Sequence, residues 1–208
     1  MNIAIIAAHP DDAEVWCGGT IYRHTSRGDK VHIFSFFQNE SHRVDCAKKS
    51  AALLGASYTP QKYTNDQIDS EYYKTLENFK PEIILTHWEN DSHPDHVETN
   101  KIATKSVIHL VRQNLAPRAL FSFTSYHNRG RNQMFLPEFY VDISKEWEKK
   151  ISAIMLHDNQ YPEEIIKETT PIFQLHGNTV NCDYAEVFIE IPIFGRLGSN
   201  LRKTKFLS

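Results

Sequence analysis

The sequence predicts an α/β fold: a Rossmann-like, mostly parallel sheet with helices on both faces. Three observations carry this expectation. Short, continuous apolar runs such as residues 2–8 have strand length and no polar alternation, as strands buried on both faces do. These runs alternate along the chain with stretches of helical length, the order that parallel crossovers require. The chain has 208 residues, 40% of them hydrophobic, enough to fill a core without disulfide or metal staples. One domain spanning 1–208 is therefore expected, with residues 192–208, basic and weakly patterned, as a tail.

The elements follow in order. Residues 2–8 form the first strand. A polar stretch leads to Gly18-Gly19-Thr20 and a helix ending near Gly28, and residues 31–37 read as the second strand. Residues 43–54 suit a helix stopped by Gly55, placed where a C′ glycine is favoured. A short strand near 57–63 and a helix over 68–79 come next, and Pro81 introduces a buried-strand pattern at 82–86. Residues 94–115 read as a long helix with Val97, Ile102, Val107, Ile108 and Val111 on its apolar positions. Residues 120–124 are a fifth strand. After an irregular loop at 125–138, residues 140–143 look extended and 145–156 helical. Residues 162–174 are helical, with Pro171 breaking or capping the helix, and 186–191 is a late strand.

Composition excludes several classes. With 23 Lys and Arg against 26 Asp and Glu, the net charge of −3 lacks the basic excess of a nucleic-acid binder. The three cysteines, Cys17, Cys46 and Cys182, are odd in number and far apart, so neither a disulfide framework nor a Cys-rich zinc site is indicated. No apolar stretch has the roughly 20 residues needed to span a bilayer. The N-terminus opens on an apolar run without a charged leader, so a cytoplasmic location is expected. Oligomeric state stays open, a homo-oligomer included. Eleven histidines stand beside only eight glycines, and histidine is the commonest metal ligand and acid–base group.

Two polar clusters locate those histidines. Ligands of open α/β sheets bind beyond the carboxyl ends of the strands where strand order reverses. In a parallel order 3-2-1-4-5, the first and fourth strands flank that crevice. Ala8-His9-Pro10-Asp11-Asp12-Ala13-Glu14 follows the first strand, and Thr86-His87-Trp88-Glu89-Asn90-Asp91-Ser92-His93-Pro94-Asp95-His96 follows the fourth. A catalytic zinc takes three ligands from His and Asp or Glu and leaves a position for water. His9, Asp12 and His96 can supply that set. Asp11 is then placed as a general base, His93 as an oxyanion stabiliser or acid, and Asp95 as the group that orients His93. Taken singly, each cluster could be a capped helix start; together at one switch point they form a hydrolase constellation. The same loop argues against a dinucleotide, since two aspartates stand where glycines would cradle pyrophosphate.

With these residues quoted, the chain resembles the PIG-L/LmbE-like family of zinc-dependent de-N-acetylases. Ala8-His9-Pro10-Asp11-Asp12 followed by Gly18-Gly19-Thr20 is similar to its first motif, and His93-Pro94-Asp95-His96 to its second. Fainter echoes run from Arg43 to Gly55, from Lys150 to Gln160 through His157, and at Tyr184-Ala185-Glu186. The resemblance implies zinc on His9, Asp12 and His96, with another divalent transition metal acceptable to the same donors. It implies Asp11 as base, His93 beside the tetrahedral intermediate with Asp95 behind it, and removal of acetate from N-acetylglucosamine conjugates. Two positions depart from the family pattern: Ala13 stands where Glu often follows the aspartates, with Glu14 one place later, and Asn159 precedes Gln160 where Ser is common.

On the substrate side, Arg43 resembles a family arginine that holds the sugar. Asp66 could bind a hydroxyl, Trp88 is either pocket wall or core, and Arg129 and Arg131 could meet an anionic group. The remaining histidines at 24, 32, 42, 109 and 176 have structural roles by default, and His87 has none assigned. The expected partner is a small N-acetyl sugar conjugate. Two rivals remain: an amidase for another amide, such as a thiol conjugate, and a metal-dependent sugar-binding module without turnover.

Overall fold

A computed structural model describes residues 1–37, 40–64 and 67–192; Asp66 and the expected tail beyond Pro192 lie outside the described residues. The chain runs through β1 (Asn2–Ala7), α1 (Asp12–Thr25), β2 (Lys30–Ser35), α2 (Ser41–Leu53) and β3 (Ser57–Pro60). Two short strands, β4 (Tyr63–Thr64) and β5 (Gln67–Ile68), precede α3 (Ser70–Phe79), β6 (Ile83–His87), α4 (Pro94–Arg112) and β7 (Ala119–Phe123). A 3-10 turn at Tyr126–Asn128 leads to β8 (Phe139–Asp142), α5 (Trp147–Ile154), α6 (Pro162–Thr179) and β9 (Ala185–Ile191).

The main sheet has the order β3-β2-β1-β6-β7-β9-β8. Its first five strands are parallel, in the expected 3-2-1-4-5 arrangement of the crossover strands, and β9 and β8 close it antiparallel. The α/β class is as the sequence predicts. Strand pleat divides each apolar run between two cores. Ile3, Ile5 and Ala7 of β1 pack with Trp16 of α1, Ile154 of α5 and Phe173 of α6, whereas Ala4 and Ile6 pack with Tyr72 of α3 and Ile102 of α4. Every one of these β1 side chains is at most 1% exposed. Each Ile in such a position stabilises the fold by about 1.5–3 kcal/mol, which explains the lack of alternation in the run.

Two helices differ from expectation. α1 begins at Asp12, ahead of the glycines, and breaks its helical geometry at Cys17 (φ −143°, ψ 22°). The break frees two backbone donors downstream: Gly19 N–H and Thr20 N–H both donate to the buried Glu186 carboxylate, at 2.9 and 2.7 Å. Glu186, at the start of β9, thereby caps the second half of α1, and Lys150 of α5 donates to the same carboxylate at 2.6 Å with both side chains wholly buried. Gly19 is required by close approach, since a Cβ there would lie 2.7 Å from Ile143. α6 runs straight through Pro171, which neither ends nor caps it. Pro171 lies on the exposed face, where losing one backbone bond costs least, while Ile172, Phe173 and His176 stay packed inside. Gly55, at φ +74°, follows the end of α2 as expected.

Candidate active site

The carboxyl ends of β1 and β6 are adjacent strand ends, with Ile6 paired to Thr86. Beyond them the two clusters converge on a cavity of about 210 Å³ lined by His9, Asp11, Asp12, Arg43, His93, His96, Tyr126 and Gln160. Larger cavities of about 430 and 460 Å³ lie elsewhere and contain no histidine. The candidate site is picked by its converging titratable groups and not by its size.

Local backbone demands place each side chain. His9 N–H donates to Asp12 Oδ2 at 2.7 Å, so the tight turn after β1 is closed by a site carboxylate. Asp11 occupies the N-cap position of α1 but makes no side-chain cap bond. It turns instead to Arg43, whose Nη2 lies 3.2 and 3.3 Å from its two carboxylate oxygens. The capping explanation of that aspartate therefore fails. His93 does cap α4: its Nδ1 accepts Asp95 N–H at 3.2 Å. An accepting Nδ1 leaves the ring proton on Nε2.

His9, Asp12 and His96 come together, their donor atoms within 4.8 Å of one another. His9 Nδ1 is 3.2 Å from Asp12 Oδ2, and His96 Nε2 is 3.5 Å from Asp12 Oδ1. Each histidine has its other nitrogen on a different carboxylate: His9 Nε2 on Asp95 at 3.0 Å, and His96 Nδ1 on Asp91 at 3.0 Å. Carboxylates can only accept, so those bonds hold one ring proton of each histidine outward and turn the inner nitrogen toward Asp12, where a cation would take its lone pair in place of a second proton. This is the arrangement in which outer carboxylates orient metal-ligating histidines. Among the described residues, Asp11, Asp12, Asp91 and Asp95 surround the cluster, and Arg43 is the one arginine lining the cavity. The donor set fits a divalent cation in chemistry and in charge.

Asp95 thus differs from its expected task. Its carboxylate reaches His9, and only its backbone N–H reaches His93, because the N-cap bond uses the histidine side chain and the main chain two residues on.

Proton affinities follow from this crowding. Burial alone would lower His96, but Asp12 and Asp91 outweigh it and raise its pKa to about 10. Burial likewise opposes the rise at His9, where Asp12 and then Asp95 win. At Asp12 burial favours the neutral acid, yet His96, His87 and His9 hold it well below the usual carboxylate range. Asp11 moves the other way: burial and the Asp12 charge raise it, against Arg43 and His157. His93 is lowered by burial and by neighbouring imidazoles.

Several residues escape sequence reasoning. Asp91 is 1% exposed and also accepts His93 N–H at 2.8 Å, so one carboxylate holds both ends of the second motif. His87 closes the floor of the site: its Nε2 accepts Ala8 N–H at 3.0 Å, and its ring stacks on His96 at 3.9 Å. Burial pushes its pKa down to about 4, so it stays neutral. Its position at the end of β6 was the available signal. Glu14 and His157 face each other at 3.8 Å, both buried. Tyr126, from the irregular loop, stands edge-on to Trp16 at the cavity wall.

Of the expected substrate contacts among the described residues, Arg43 lines the cavity and Trp88, Arg129 and Arg131 do not. Trp88 belongs to a small core with Phe135 and Val187, 5.3 Å from the Phe135 ring, because the residue after His87 points to the opposite side. Arg129 and Arg131 are exposed beside a separate cavity. Their loop is fastened there by Arg131 N–H to Asn90 O at 2.9 Å, and a Cβ on Gly130 would sit 2.1 Å from that same oxygen.

Fold and site define a class: a doubly wound α/β protein with histidines and aspartates clustered in a cavity at the switch point of its sheet. Comparison with known proteins agrees. The family described as GlcNAc-PI de-N-acetylase, PIG-L, matches residues 4–107, and the chain belongs to that family. The diacetylchitobiose deacetylase of Thermococcus kodakarensis is 26% identical over 223 aligned residues, covering 92% of this chain and 83% of that protein. Among solved structures, N,N'-diacetylchitobiose deacetylase from Pyrococcus horikoshii superposes with a TM-score of 0.67 at 24% identity, covering 92% and 84% of the two chains. GalB, the 4-carboxy-2-hydroxymuconate hydratase from Pseudomonas putida KT2440, reaches 0.80 at 21% identity, covering 96% and 98%. These structural likenesses are of fold. Among the described residues, no helix is long and apolar enough to cross a membrane.

Proposed function

We propose that the chain is a zinc-dependent hydrolase that removes acetate from an N-acetylglucosamine-type sugar conjugate. The observation that carries this reading is the convergence of His9, Asp12 and His96, both rings oriented by outer carboxylates, with Asp11 turned away from its helix cap and toward the same cavity. His9, Asp12 and His96 would hold the ion, which when bound supplies Lewis-acid activation of water and of the amide carbonyl.

The chain's own groups supply the rest. Asp11, raised in proton affinity by burial, takes the proton from the attacking water. Arg43 holds that carboxylate in place and keeps it from being protonated too readily. His93, neutral and with its proton on Nε2, donates a hydrogen bond to the oxygen that gains charge at the carbonyl. The departing nitrogen receives the proton that Asp11 took up, giving free amine and acetate. Gln160 and Tyr126 line the wall and offer polar groups for sugar hydroxyls. Membership of a de-N-acetylase family and the diacetylchitobiose deacetylase relative support the amide and the sugar.

The test is acetate release from a panel of N-acetylglucosamine conjugates by zinc-reconstituted protein. Release that depends on zinc supports the proposal. Cleavage confined to thiol-conjugate amides would reassign the substrate, and zinc and sugar binding without release would make it a binding module. The fold likeness to a hydratase adds one assay: addition of water to an unsaturated carboxylic acid, with no amide cleaved, overturns the hydrolase reading.

Two further outcomes are expected. Because His96 carries a proton below about pH 10 without a cation, an ion must displace it. Binding near pH 7 is expected to release about one to two protons per ion, and affinity to rise about tenfold per pH unit per proton between roughly pH 6 and 8. Calorimetry in buffers of different ionisation enthalpy measures the release; affinity flat with pH contradicts the assignment of His96. Asp91→Ala removes the acceptor at His96 Nδ1 and is expected to weaken zinc about 10–100-fold, read by competition with a chelator.

A further inference from the structure

We propose a second transition-metal site, outside the catalytic cavity, built from His42, Cys46 and Asp158. His42 and Cys46 stand four residues apart on the first turns of α2 and so share a face, and Asp158 comes from the turn between α5 and α6. Cys46 Sγ is 3.6 Å from His42 Nε2 and 3.6 Å from Asp158 Oδ1, and the last two atoms are 2.6 Å apart. Zinc bonds of about 2.0–2.3 Å in a tetrahedron set sulfur roughly 3.6 Å from a nitrogen or oxygen neighbour, and nitrogen roughly 3.3 Å from oxygen. Both sulfur distances already match. The third opens by less than roughly 1 Å when an ion replaces the hydrogen bond.

The donors select the ion. Thiolate with imidazole favours zinc, or cobalt as its probe, over magnesium and calcium. Cys46 is 2% exposed, whereas the His42 and Asp158 side chains are 54% and 68% exposed, so the ion enters from solvent and rests on the sulfur. Both backbones are held from outside the cluster: Ser50 Oγ–H donates to Ala153 O at 3.1 Å, and Asn159 Nδ2–H donates to Glu40 Oε2 at 3.3 Å. The site shares no ligand with His9, Asp12 and His96. Its ligands do adjoin the cavity wall, since Arg43 follows His42 and Gln160 lies two residues past Asp158. An ion here ties α2 to the α5–α6 turn and holds those two wall residues at a set separation.

Cobalt titration of the full chain tests the site, independently of the reaction assigned above. The central donors contain no sulfur, so a thiolate-to-cobalt charge-transfer band in the near ultraviolet reports the peripheral site alone. The other two thiols are engaged elsewhere, Cys17 on Ala13 O and Cys182 on Tyr184 O. The band is expected in the wild type and in Asp12→Ala. It is expected to vanish in Cys46→Ser, with one fewer equivalent of bound cobalt, and its midpoint to shift at least about tenfold in His42→Gln and in Asp158→Asn. Circular dichroism of each variant confirms the fold. A wild type without the band, or a band surviving in Cys46→Ser, overturns the site and leaves a surface ion pair only. Failure of acetate release with the band intact overturns the catalytic reading and not this one.

Discussion

Asp11→Asn is expected to lower amide hydrolysis by about 10²–10⁴-fold at saturating substrate, with bound zinc and melting temperature unchanged. The loss equals about 3–5 kcal/mol of transition-state stabilisation. The substitution is clean because Asp11 makes no cap bond that helix α1 would miss, and an amide oxygen can still accept from Arg43. What disappears is the proton acceptor. Burial and the neighbouring Asp12 charge raise the proton affinity of Asp11, so the acidic limb of the wild-type rate profile belongs to it. Below its folded pKa the base is protonated and activity falls; above it, activity is full. That limb should be absent from the residual activity of the variant. Turnover within about threefold of wild type, measured by acetate release at equal zinc content, would falsify the assigned role.

Lys150→Met should cost about 3–5 kcal/mol of folding stability. Lys150 and Glu186 are both wholly buried, and their 2.6 Å bond leaves each charge compensated. Lys150 Nζ also lies 3.7 Å from the centre of the Phe173 ring, a contact that charge strengthens. Methionine keeps the length of the stem and removes the cation, so Glu186 keeps only the Gly19 and Thr20 N–H donors. For a chain of this size the loss corresponds to a fall of roughly 6–20 °C in melting temperature. Denaturant unfolding of Lys150→Met, Glu186→Gln and the double variant isolates the coupling. Additive single effects would show that the pair does not act as a unit.

These two variants separate what the motifs look like from what they do. Lys150 and Tyr184-Ala185-Glu186 echo family motifs as faintly as Arg43 does. In the folded chain Arg43 faces Asp11 in the cavity, while Lys150 and Glu186 latch the broken helix α1 and do not line that cavity. Sequence alone cannot divide such residues, because a buried ion pair and a binding residue use the same side-chain types. Arg129 and Arg131 make the converse point: positive charge in a polar loop suggests an anion, yet a main-chain bond from Arg131 to Asn90 fastens that loop beside a different cavity.

The apolar runs determined the α/β class, since strands buried on both faces admit no polar alternation. The two polar clusters pointed to the cavity on which they converge, because the parallel crossover brings the ends of β1 and β6 together whatever the loops do. Only the tertiary structure decided the outer layer of the site. Asp91 sits among ordinary loop residues, His87 ends a buried strand, and Asp95 reaches across to His9. Their roles depend on which ring nitrogen a carboxylate meets, a matter of ångströms between segments some eighty residues apart in sequence. Spacing along a chain carries no information at that scale; packing does.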